Sequence, residues 1–159
     1  MIYGATNSSE SMKKLKTVKG SKYTVKKITK KLKKGTFYKF AVSAKDKNGN
    51  IVYTSEPIYV ATKGKENGYY KSVKIKVKNK IKKKITVKKG KTLKITAKGI
   101  KPKKSTVIVK GVDMRYESSN TKIATVSKSG QIKGIKKGNC TIYAYAPSGI
   151  YKTIKVKVK

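Results

Sequence analysis

Enzymatic chemistry usually needs a proton shuttle, an activated nucleophile or a metal, and this sequence has few side chains suited to any of them. It contains no histidine, one cysteine and six acidic residues in 159. Asp113 and Glu117 lie four residues apart in a predicted strand, which at ~3.3 Å per residue separates them by about 13 Å, too far to share one proton. The other four acids are scattered. A single thiol with no imidazole cannot assemble a zinc cluster, and an intramolecular disulfide is equally excluded. Asp46-Lys47-Asn48-Gly49-Asn50 is rich in oxygen ligands, as a calcium loop is. It lacks the bidentate acid at the expected place and carries an intervening lysine, so a hairpin turn is predicted instead. Gly130 and Gly134 have no helix after them and no Gly-Lys-Ser/Thr ending, so they form no phosphate loop. Cys140 alternates with Ile142 and Ala144, which predicts an inward, inert thiol. The residues thus predict no catalytic, cofactor-binding or metal-ligating site, and a chain that is not an enzyme.

Charge is the remaining source of chemistry. Lys and Arg total 43 against 6 acids, for a net charge of +37, and Arg115 is the only arginine. Like charges at this density repel across a Debye length of about 8 Å, so the fold must tolerate the repulsion or have it neutralised by a polyanion. A nucleic acid, an anionic membrane and an acidic cell-wall polymer all meet that need, and a merely solvated lysine surface is the plain alternative. The single arginine weighs against base-specific recognition, because bidentate contacts favour guanidinium over ammonium. Of the eleven tyrosines, Tyr38 and Tyr116 fall at predicted core positions.

The elements that carry these residues read as strands. Val73-Lys74-Ile75-Lys76-Val77, Leu93-Lys94-Ile95-Thr96-Ala97 and Ile154-Lys155-Val156-Lys157-Val158 alternate strictly between apolar and polar, as half-buried strands do. Alternation accounts for much of the charge, because each outward slot needs a soluble residue and lysine fills it. No segment keeps a helical apolar stripe for three turns, and β-branched residues are frequent. Glycine turns at Lys33-Lys34-Gly35-Thr36, Lys88-Lys89-Gly90-Lys91-Thr92 and Lys136-Lys137-Gly138-Asn139 each lead into an alternating run. Asn48-Gly49 and Ser127-Lys128-Ser129-Gly130 mark hairpins.

The length suits two small β modules, and the stretch Thr62-Lys63-Gly64-Lys65-Glu66-Asn67-Gly68, with no apolar residue, is the predicted boundary. No apolar run approaches the ~18 residues of a membrane helix. Met1-Ile2-Tyr3-Gly4 does not resemble a signal peptide, so if the protein is secreted its export signal is expected upstream of this chain.

Tyr116-Glu117-Ser118-Ser119-Asn120, Ile123-Ala124-Thr125-Val126-Ser127, Gly130-Gln131-Ile132-Lys133-Gly134-Ile135 and Gly138-Asn139-Cys140-Thr141-Ile142-Tyr143-Ala144 follow one another in order and spacing. Together they resemble the bacterial immunoglobulin-like group 2 family over residues 70–159. Tyr116 stands where the family usually has Trp, and Cys140 where a small inward residue is usual. Residues 100–111 look like a long connection of open course before a strand at Met114–Tyr116. Leu32-Lys33-Lys34-Gly35-Thr36-Phe37-Tyr38-Lys39-Phe40-Ala41-Val42-Ser43-Ala44 resembles the fibronectin type III pattern. That resemblance implies a tyrosine corner at Tyr38, with its hydroxyl bonded to nearby backbone. It also implies a last strand over Ser55–Thr62 and a third strand at Ile2–Thr6. The first two strands are then expected to be missing from this chain, leaving residues 1–64 the less stable half with an apolar face partly uncovered.

The predicted fold is all-β: two tandem immunoglobulin-like β-sandwiches, the first incomplete, over residues 1–64, a linker at 65–69, and residues 70–159. The resemblance implies a non-catalytic extracellular or cell-surface module of a bacterial protein, associated with adhesion, cell wall or carbohydrate. Charge adds attraction to an anionic cell-wall polymer or polysaccharide. Nonspecific nucleic-acid binding in vitro and a pure spacer for an upstream enzyme are the alternatives. A monomer with no membrane span is expected.

Overall fold

The computed structural model describes residues 1–6, 11–18, 32–63, 68–108 and 113–159, and every regular element among them is a β-strand. The chain divides into two compact units, Met1–Tyr69 with Ser105–Val109, and Tyr70–Lys104 with Lys110–Lys159. Part of the long connection thus belongs to the first unit, where the Val107 carbonyl accepts the amide of Gly68 at 3.1 Å. Apart from Gly68 and Tyr69, the expected linker at 65–69 lies outside the described residues.

In the first unit, β1 (Ile2–Thr6), β2 (Lys13–Lys16), β3 (Phe37–Lys45) and β4 (Ile51–Thr54) form a sheet ordered β2-β1-β3-β4, and β5 (Ile58–Ala61) also pairs with β3. Register puts buried Ala41 and Ala61 on one face, opposite Tyr3 and Phe37, while Ile2, Phe40, Val42 and Ile58 share the other face. Val42, Tyr53 and Ile58 are exposed, so part of that face is open to solvent. The last strand, expected over Ser55–Thr62, is the shorter β5, Ile58–Ala61, set off from β4 by a break at 55–57. Pro57 has no amide to donate, and Ser55 takes over at the break, its amide bonding the Val42 carbonyl and its hydroxyl accepting the Val42 amide. The Tyr38 hydroxyl accepts the Lys33 amide at 3.0 Å, the local bond expected of a tyrosine corner. Its half-buried ring stacks on Phe40.

The second unit contains β6 (Ser72–Val77), β7 (Lys80–Ile81), β8 (Lys84–Val87), β9 (Thr92–Lys94), β10 (Thr96–Ile100), β11 (Arg115–Ser118), β12 (Ala124–Val126), β13 (Gln131–Gly134), β14 (Gly138–Tyr145) and β15 (Tyr151–Val158). One layer is the sheet β11-β14-β15-β8, in which β8 runs parallel to β15. The sheets β10-β6-β7 and β12-β13-β9 contribute the facing side chains. Alternation decides what lies between them: Val73, Ile75 and Val77 from β6, Cys140, Ile142 and Ala144 from β14, and Ile154, Val156 and Val158 from β15 are all buried. Each such aliphatic side chain, once hidden, contributes about 1.5–3 kcal/mol, while the intervening lysines stay in water.

Leu93–Ala97, expected as one strand, is two. The chain turns at Ile95, so that β9 pairs with β13 and β10 with β6. Ile95 itself is fully buried and donates its amide to the Gly130 carbonyl at 2.9 Å. The turn lets one chain serve two sheets without losing a core side chain. Opposite it, the Tyr116 hydroxyl accepts the Ala97 amide at 2.9 Å, filling the hydrogen-bonding gap left by the turn.

One hairpin geometry recurs. Asp46 and Asn50, Ser127 and Gln131, and Ala146 and Ile150 are joined by an amide-to-carbonyl bond, and Gly49, Gly130 and Gly149 donate back to the first residue of each turn. A tight turn followed by a residue with positive φ demands glycine at that place, which explains the repeated spacing. The turn between β6 and β7 uses Lys78 at φ 47° and Asn79 at φ 62°, the geometry of a two-residue hairpin. Lysine gives no sequence signal for it.

Candidate functional site

The residues considered for chemistry disperse. Asp113 precedes β11, whereas Glu117 lies on it and pairs with Arg115, Nε to Oε1 at 3.4 Å. The Asp46 oxygens accept the Asn48 amide, the Asn50 amide and the Asn50 side chain, so the turn itself uses them. The Asn50 side chain is the first cause holding the Asp46 carboxyl below its ordinary range. Gly134 sits where a Cβ would lie 2.8 Å from the Lys88 carbonyl oxygen, a packing position and not a phosphate cradle.

Cys140 is a free thiol facing the core, 7% exposed, and burial pushes its pKa up. Thiol reagents attack the thiolate, so labelling of the folded chain is expected to be at least about a hundredfold slower than labelling in denaturant. Prompt stoichiometric reaction of the native protein would show that β14 does not hold this side inward.

The outward side of sheet β11-β14-β15-β8 gathers polar and aromatic groups in cross-strand rows. Arg115, Tyr145 and Tyr151 form one row and Glu117, Tyr143 and Thr153 the next. Thr141, Lys155 and Lys84 follow, then Asn139, Lys157 and Thr86. Tyr143 and Tyr145 stack with centroids 5.9 Å apart and planes 13° apart, and Tyr151 tilts against Tyr145 at 5.3 Å. The Arg115 guanidinium carbon lies 4.8 Å over the Tyr145 ring, a cation–π geometry. Burial, with the Glu117 charge next, raises the Tyr145 pKa. Beyond the Tyr143 row lies an open depression of about 840 Å³, its lining including Lys82, Lys84, Lys155 and Lys157 with Thr86 and Thr141.

Sequence reasoning placed no site here. The signal was present in Tyr143-Ala144-Tyr145, where the aromatic residues take the slots opposite the inward Cys140, Ile142 and Ala144. What pattern alone does not give is the meeting of those rings with Tyr151 and Arg115, which requires the pairing of β14 with both neighbours.

Among solved structures, a mutant intimin of EHEC O157:H7 is similar at 21% identity with a TM-score of 0.40, over 56% of this chain and 47% of that one. Intimin in complex with Tir90 is 20% identical, also at a TM-score of 0.40 and with the same coverage. The S-layer protein rSbsC(31-844) is 13% identical with a TM-score of 0.40, over 99% of this chain and 36% of that one. The chain therefore spans about half or less of the length of each of these structures, and the likenesses are too distant to carry functional argument. No curated protein matches the sequence. The model of the bacterial Ig-like domain (group 2) matches residues 71–156, more than half of the chain and nearly all of the second unit's sandwich. With the expected segments in place as β11 to β14 and their alternate side chains in a two-layer core, this chain belongs to the bacterial Ig-like domain (group 2) family.

Proposed function

We propose that this chain is a non-catalytic module of a bacterial surface or secreted protein, an adhesive tail or stalk drawn by its lysines to anionic cell-wall polymers or polysaccharides. The observation that carries the reading is the placement of charge. Lys74 and Lys76 on β6, Lys84 on β8, and Lys155 and Lys157 on β15 are exposed at the slots between buried Val and Ile. The core of the second unit is thus kept free of charge while these lysines of the net +37 chain are displayed on its strands. Rigid display costs a multivalent partner less ordering than flexible tails would, and long-range attraction speeds encounter.

Co-sedimentation with purified bacterial cell walls tests it. Retention is expected to fall by about tenfold or more between 0.1 M and 1 M salt, as the Debye length shrinks from about 10 Å to about 3 Å. A yield unchanged across that range would exclude the electrostatic mechanism, and absence of binding at low salt would leave the pure spacer role.

A further inference from the structure

The outer side of sheet β11-β14-β15-β8 divides into two halves of different chemistry. One half holds Arg115 paired with Glu117, Tyr143, Tyr145, Tyr151 and Thr153; the other holds Lys84, Lys155 and Lys157 with Thr86, Asn139 and Thr141. We propose that this face binds a carboxylated linear polysaccharide, its sugar rings resting on the tyrosine half and its carboxylates lying over the lysine half. The inference rests on the reading of the chain as a binder of anionic polymers and assigns that activity a place.

Three observations carry it. First, Lys84 and Lys155 are directly opposite one another on adjacent strands, both exposed. Like charges in that position destabilise a sheet, and a bound anion reverses the sign of their contribution. Second, the lining of the depression beside these lysines includes Thr86, Thr141, Asn139 and Ser119. Such neutral groups match the hydroxyls of a sugar better than they match a bare phosphate chain. Third, Tyr151 is 55% exposed on the same face, four residues along β15 from Lys155 of the depression. An exposed ring has a hydrophobic face for the C–H side of a sugar and a hydroxyl at its rim.

Nucleic acid fits less well. Successive bases need a series of free ring faces, yet Tyr143 and Tyr145 stack on each other and the Arg115 guanidinium covers Tyr145. That leaves Tyr151 as the exposed ring, enough for one sugar. Along β15 the distance from Tyr151 to Lys157 is about 20 Å at ~3.3 Å per residue, room for a few linked sugars across both halves. Cross-strand tyrosine pairs also stabilise sheets, so the test must separate binding from folding.

Binding of the full chain to polygalacturonate is measured at constant salt, with polyphosphate and oligothymidine as comparison polymers and a thermal melt of each variant. Lys84→Gln/Lys155→Gln is expected to weaken polygalacturonate binding about tenfold, whereas the charge-matched Lys98→Gln/Lys133→Gln, exposed on β10 and β13, changes it less than about twofold. Tyr151→Ser is expected to weaken polygalacturonate about fivefold and to leave polyphosphate unchanged, because only the sugar uses the ring. Equal losses from the two lysine pairs would overturn the proposal while keeping the chain an anionic-polymer binder. An equal Tyr151→Ser effect on oligothymidine would reassign the face to single-stranded nucleic acid and overturn it too. Failure of the unaltered chain to bind any of the three polymers would instead sink the broader functional reading.

Discussion

Ile142→Ala is expected to lower the stability of the second unit by about 2–5 kcal/mol, the range for a large aliphatic side chain removed from a tight core. Ile142 is 0% exposed and sits on β14 between Ser118 of β11 and Ile154 of β15. Its inward neighbours along the strand are Cys140 and Ala144, both small and already packed, so little can move in to fill the space. A unit of this size loses roughly 4–8 °C of melting temperature per kcal/mol, which places the effect well outside measurement error. Urea unfolding followed by hydrogen exchange at β14 amides assigns the loss to this unit. The matched change Lys155→Ala, on an exposed site of the same sheet, is expected to stay within about 0.5 kcal/mol. A loss below about 1 kcal/mol for Ile142→Ala would mean that the two layers are not closed around it.

Gly130→Ala is the second large effect, and its size comes from two causes that can be separated. The residue has φ +81°, and an added Cβ would lie 2.5 Å from the Ile95 carbonyl oxygen and 3.0 Å from the Tyr116 ring. The positive φ and the collision with backbone together should cost about 2–4 kcal/mol. Gly90 has φ +76° with nothing within 4 Å of the same added atom. Gly90→Ala therefore reports the backbone conformation alone, at about 1–2 kcal/mol. The difference between the two variants measures how closely the Gly130 turn approaches the point where β9 becomes β10. Equal melting temperatures for the pair would show that this approach is looser than the structure has it.

That turn also marks where reading the sequence stops working. Ile154, Val156 and Val158 are legible as core because each alternates with a lysine, and the structure buries all three. The same rule reads Leu93-Lys94-Ile95-Thr96-Ala97 as one strand, since the apolar parity is preserved through the break at Ile95. Only the change of hydrogen-bonding partner reveals two strands, and a partner 35 residues away leaves no trace in the local pattern. The β6–β7 turn was hidden for a different reason: Lys78 adopts a conformation that lysine does not favour, held there by the pairing of Lys76 with Ile81. The bond of the Tyr38 hydroxyl is what the resemblance to the fibronectin type III pattern implies, and the structure supplies the Lys33 amide as its donor. The tyrosine face was not foreseeable, because alternation places Tyr143 and Tyr145 outward but says nothing of which strands lie on either side.

The parallel pairing of β8 with β15 gives the second unit a mechanical property. At its ends the Lys155 amide binds the Lys83 carbonyl, the Lys159 amide binds the Val87 carbonyl, and the Lys89 amide binds the Lys159 carbonyl, all at 2.8–3.0 Å. Tension that pulls the β8 entry and the β15 exit in opposite directions loads these bonds in shear. They must then yield together and not one at a time, so a tether built this way resists a steady tug far better than a hairpin of equal length peeled open from its end.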